Sequence, residues 1–83
     1  MIVGEVKSII EIKDYGKIRL HLAELMNEKG MTRNKMKTLM GVKYDVVDRY
    51  YKAKNIERVD LDFLAKACYV LDCKIEDILE YVK

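Results

Sequence analysis

Residues 31 to 54 read MTRNKMKTLMGVKYDVVDRYYKAK, and their local chemistry decides the fold. Thr32 stands immediately before an apolar-periodic run, where its hydroxyl can accept from a free amide of a helix's first turn. Met31 and Met36 occupy the two positions of a hydrophobic staple, which sets the angle at which the chain enters that helix. Lys35 sits where a capping box needs Glu or Gln, so the cap rests on Thr32 alone. Met36, Leu39 and Met40 share one face at helical spacing. Gly41 follows, able to take the left-handed conformation that ends a helix in one residue. A second helix begins near Lys43 or Tyr44. In it Val47, Tyr50 and Tyr51 recur at i, i+3 and i+4, which leaves Tyr44, Asp45, Asp48 and Arg49 directed outward.

Charge gathers around this pair of helices. Residues 32 to 58 hold eight basic side chains against three acidic ones, a net of +5, and the remainder of the chain nets −3. The formal total of +2 therefore conceals a polarised molecule. Polarity of this kind suits a polyanion, because each phosphate neutralised by Lys or Arg releases condensed counterions.

Working outward, Ile18, Leu22, Leu25 and Met26 form an i, i+4, i+7, i+8 stripe that ends at Gly30, which predicts a first helix of about three turns. Ala53 to Val59 is polar and long enough for a loop. Asp60 can cap a further helix in which Leu61, Leu64, Ala65, Cys68 and Leu71 share a face. Lys74 starts a short last helix with Glu76 and Asp77 in its first turn, near the positive dipole end, and with Ile75, Ile78 and Leu79 packing inward. The expected fold is all-α, a compact five-helix bundle over residues 17 to 83. Residues 1 to 16 read differently. Val3, Val6, Ile9, Ile10 and Ile12 are β-branched and Ile10 to Lys13 alternates, which favours a strand over a helix. This extension is expected to fold as a hairpin near Gly4, to pack over the helices, or to pair with its copy in a second subunit as a dimerisation arm.

The 83 residues make one small domain, burying roughly 60% of the surface its unfolded chain exposes. With 51% apolar and 36% charged residues, the composition is that of an ordered soluble domain and not of a disordered tail. No apolar stretch approaches the ~20 residues that cross a bilayer, and no basic segment followed by a long apolar run opens the chain, so a cytoplasmic location is expected. Cys68 and Cys73 lie at a helix end far in sequence from the single histidine, His21. They read as small core hydrophobes, and neither a metal site nor a cofactor is expected. Glu24 and Glu28 lie at i, i+4 on an exposed face and Asp72, Glu76 and Asp77 sit at helix ends. Without a nucleophile and base or a phosphate-cradling loop, no enzyme is expected.

Laid out this way, the sequence resembles the phage-repressor-like, Cro/XRE family of helix-turn-helix proteins from Ile18 to Leu79. The likeness rests on the first helix ending in EKGMT, on NKMKTLMGV ending at the turn glycine, on DVVDRYYKAK in the recognition-helix position, and on VDLDFLAKACYVLDCKIEDIL closing the bundle. The resemblance implies that the third helix lies in the major groove of duplex DNA while the second anchors on phosphate. Carried over by position, Arg33, with Asn34 beside it, falls at the start of the second helix, where relatives usually hold Gln and touch phosphate or the outermost base. Lys43, Tyr44, Asp45 and Arg49 fall at base-reading or groove-edge positions, and Lys52 and Lys54 in the loop that contacts the backbone. Arg49 suits guanine O6 and N7. Asp45 and Asp48 depart from the family's Thr, Ser or Gln, although pairing with Arg49 or Lys52 would neutralise Asp48.

The expectation is a sequence-specific regulator of transcription that binds double-stranded DNA, as a homodimer on paired half-sites. The alternative is a protein-interaction module on the same fold, an antirepressor or accessory factor with weak or no DNA binding, whose Asp45 and Asp48 serve a basic protein partner.

Overall fold

The computed structural model describes residues 15 to 83. The strand and dimerisation arm expected within residues 1 to 16 lie almost wholly outside that range. Five helices run in order: α1 Leu22–Glu28, α2 Arg33–Met40, α3 Tyr44–Lys52, α4 Leu61–Leu71 and α5 Ile75–Ile78. Two short strands, β1 Lys17–Leu20 and β2 Leu79–Val82, bracket them. They pair antiparallel with Ile18 opposite Tyr81 and Leu20 opposite Leu79, so the two ends of the bundle are tied by a small ribbon.

This ribbon corrects the first helix. Ile18 lies on β1 and is 61% exposed, outside the stripe it was expected to start. The His21 amide donates to the Ile78 carbonyl at 2.7 Å, so the backbone is committed to the ribbon up to that residue and α1 begins only at Leu22. The helix has seven residues, two turns instead of three.

The caps fall where the side chains place them. Thr32 Oγ1 accepts from the Lys35 amide at 3.1 Å, Asp60 Oδ1 from the Asp62 amide at 3.0 Å, and Asp77 Oδ2 from the Lys74 amide at 2.9 Å. Gly41 ends α2 at φ +70°, a conformation that costs a residue with a Cβ about 1–2 kcal/mol. Gly16 is constrained differently: at φ +85° a Cβ there would meet the Val82 carbonyl oxygen at 2.6 Å.

The core takes Leu22 and Met26 from α1, Met36 and Met40 from α2, Val47 and Tyr50 from α3, Phe63, Leu64, Ala67 and Leu71 from α4, and Ile78 from α5. Met31 packs against it, as the staple requires. Three faces are turned from the expected ones. Leu39 is 53% exposed, because α2 meets α3 and α4 along the Met36–Met40 edge alone. On α4, Leu61 and Ala65 face outward, while Phe63 points inward to pack on Tyr50 with ring centroids 4.0 Å apart. That contact turns the helix so that Ala67, not Ala65, is buried. In the single turn of α5 only Ile78 is fully covered; Ile75 is exposed, and Leu79 packs against the core from β2.

Cys68 and Cys73 are free and half-buried. Burial first, then the neighbouring Cys68 thiol, pushes Cys73 up to about 11. A thiol in that state supplies little thiolate near neutral pH, which fits a packing role.

Candidate nucleic-acid interface

The orientation of α3 is fixed from beneath. Val47 and Tyr50 are buried on one side, and the Tyr50 hydroxyl accepts from the Asp60 amide at 3.1 Å and from an Arg49 nitrogen at 3.2 Å. The start of α4 and the middle of α3 are thus joined through one buried phenol. The opposite side of α3 carries Tyr44, Asp45 and Arg49, all exposed, with Lys43 just before the helix and Lys52 and Lys54 at its end.

Arg33 and Asp48 form a clasp between α2 and α3. Arg33 donates to Asp48 Oδ1 at 2.5 Å, and Lys52 reaches Oδ2 of the same carboxylate at 3.1 Å. The guanidinium lies over the Tyr51 ring at 4.6 Å and nearer the edge of cation–π range from Tyr44, at 5.9 Å. Asp48 is held below its ordinary carboxyl value of 3.8, by Lys52 most and then by Arg33, although the Arg33 contact is the shorter. Its hydrogen bond to Asp48 raises Arg33 in turn. The expected neutralisation of Asp48 therefore comes from Lys52, with Arg33 in place of Arg49. Arg49 turns the other way, its guanidinium 4.8 Å from the centre of the Tyr50 ring.

Turned so, Arg49 joins the loop after α3. A cleft of about 320 Å³ is lined by Arg49, Lys54, Asn55, Ile56, Glu57 and Arg58. Three cations and one acid line this open recess, leaving it with net positive charge. The left-handed residues Ala53 and Asn55 fold the loop back to bring Lys54 and Arg58 beside the helix. Arg58 was not among the sequence-derived contact residues. Its signal was present in the run of basic residues, but the reversal of the loop was not.

The sequence-derived residues thus divide by place. Lys43, Tyr44, Asp45, Arg49, Lys52 and Lys54 lie on α3 or its flanks, and Asn34 is exposed in the first turn of α2. Arg33 is half-buried in the clasp. Asp45 and Asp48 do not form a pair of free carboxylates, since Asp48 is engaged on both oxygens. Among the described residues no group of three potential metal ligands occurs, and no helix is long and apolar enough to cross a membrane.

Two helices joined at a left-handed glycine, the second presenting a cation-flanked outer side, define a helix-turn-helix protein. A family model for the Cro/C1-type HTH DNA-binding domain matches residues 21–83, and the chain belongs to that family. Among solved structures, the chain is similar to the crystal structure of a proposed DNA-binding protein from Bacteroides fragilis, at TM-score 0.68 and 19% identity, over 77% of this chain and 100% of that one. At that identity the likeness concerns the fold. No curated protein matches significantly.

Proposed function

We propose that this protein is a sequence-specific regulator of transcription in the cytoplasm that binds double-stranded DNA, with α3 in the major groove. The observation that carries the reading is the outer side of α3. Val47 and Tyr50 anchor the helix on the core, and Lys43, Arg49, Lys52 and Lys54 surround the exposed Tyr44 and Asp45. The roles follow from position. Tyr44 and Asp45 meet base edges, Lys43 lies at the groove edge, and Lys52 and the recess of Arg49, Lys54 and Arg58 take phosphates, which moves Arg49 from the base-reading role expected of it. Asn34 meets the backbone at the start of α2. Arg33 supports this arrangement from within its clasp and offers its remaining donors to the same strand. A dimer places two copies of α3 one helical turn, ~34 Å, apart on paired half-sites.

The alternative of a basic protein partner for Asp45 and Asp48 loses half its basis, because the Asp48 carboxylate already holds Arg33 and Lys52. A gel-shift series with random duplexes at increasing salt tests the proposal. An enriched site, bound with an affinity that falls along a negative log–log slope, supports it. No binding at low salt overturns it.

A further inference from the structure

The two carboxylates of α3 have different surroundings, and this difference has a consequence for the DNA sequence selected. Asp48 is neutralised inside the protein by Arg33 and Lys52. Asp45 sits one residue into α3, exposed, and among the described residues no ion pair reaches it. Of the two acids on α3 it is the one without an ion pair, on a helix flanked by cations. A carboxylate brought against a duplex is repelled by phosphates and by the acceptors N7, O6 and O4 of the base edges, and it gains only from an exocyclic amino group.

Two bases offer that group in the major groove. Adenine N6 stands between two acceptors, its own N7 and the thymine O4 across the pair. Cytosine N4 has an acceptor on one side only, the guanine O6, and the nonpolar C5–H on the other. A carboxylate approaching cytosine from the C5 side meets one donor and no acceptor. Resting on the DNA-binding reading above, we propose that Asp45 is a specificity-determining residue that requires a cytosine at one position of each half-site, accepting from its N4 amino group.

Asp45 also has a plain structural use, since an acid in the first turn of α3 favours the helix's positive end. That use would appear in thermal stability and not in the bases selected. The test is a selection from random duplexes with the full chain as wild type, Asp45→Ala and Asp45→Asn, alongside melting curves that confirm each variant is folded. The expected wild-type motif contains one invariant cytosine per half-site. Replacing it with thymine weakens wild-type binding about tenfold or more. Asp45→Ala loses the preference at that position alone and keeps the rest of the motif. Identical motifs for wild type and Asp45→Ala, with the variant tighter on every duplex, would overturn the proposal by reducing Asp45 to a repulsive charge. An invariant adenine at the affected position would overturn the choice of cytosine. Failure of all three proteins to enrich any duplex is a different result, and it would remove the DNA-binding reading and this proposal together.

Discussion

At the scale of single residues, His21 shows how a side chain with no apparent chemistry in the sequence becomes a structural joint. It stands between β1 and α1, with Nδ1 2.6 Å from Glu24 Oε2 and Nε2 2.8 Å from Glu80 Oε1. Both ring nitrogens face carboxylates, so the imidazolium, which donates from both, is the preferred form. The bond to Glu24, then that to Glu80, raises its pKa above the ordinary 6.5, and the bond to His21 lowers Glu24 below 4.5. Glu80 pairs across the ribbon with Arg19, which adds positive charge to the same group. A raised histidine stabilises the fold fully below pH 6.5, and that contribution is lost as pH rises through the folded-state value. The melting temperature is therefore expected to fall as pH rises above 6.5, and His21→Gln to flatten that dependence. Because the chain has one histidine, an NMR titration of its ring reads the shift directly. A midpoint at or below 6.5 would remove the joint. Asp48 has the opposite sign. Its depressed carboxyl stabilises above pH 3.8, and the effect is lost as pH falls through the folded-state value. Asp48→Asn is expected to melt lower than wild type at pH 7, despite removing negative charge from a basic surface, with the difference shrinking only as pH falls below 3.8 and through the folded-state value. Equal melting at pH 7 would show that the clasp adds nothing.

At the scale of elements, the turn between α2 and α3 depends on backbone conformation alone, and the ribbon on close approach. A Cβ at Gly41 meets nothing within 4 Å, so Gly41→Ala is expected to cost about 1–2 kcal/mol of left-handed strain and leave the fold intact, as urea denaturation would show. Gly16→Ala adds a clash with backbone at 2.6 Å to the same strain and is expected to open the ribbon. Loss of amide protection from exchange at Lys17–Leu20 would show it; unchanged protection would contradict the packing there. These elements also show what was legible in the sequence. Caps at Thr32 and Asp60 and the stop at Gly41 could be read because each is a local interaction within three or four residues. The start of α1 could not, since the competing partners of residues 17 to 20 lie 59 to 65 positions away in β2. The face of α4 was misread for a similar reason. Periodicity placed Leu61 and Ala65 with Leu64, but the Phe63–Tyr50 contact, made between helices, sets the rotation. On the interface, α3's outward residues were evident from Val47 and Tyr50, whereas the Arg33–Asp48 clasp spans two helices and left no trace in either.

At the scale of the whole molecule, the segregation of charge into residues 32 to 58 becomes a spatial arrangement through the packing of α3 and the reversal of the loop behind it. Apolar side chains are left uncovered both within that segment, at Leu39 and Tyr44, and on other elements, most of all at Leu61 and Tyr69 on α4 and at Ile18 and Tyr81 on the ribbon. The most direct measurement is an NMR titration of the full chain with a short random duplex at low salt, following backbone amides residue by residue. The account predicts shifts concentrated at Asn34, at Lys43 to Arg49 and at Lys52 to Arg58, reversed by added salt, with Leu61, Tyr69 and Tyr81 unmoved. Shifts centred on α4 or the ribbon, or none at any salt concentration, would contradict it.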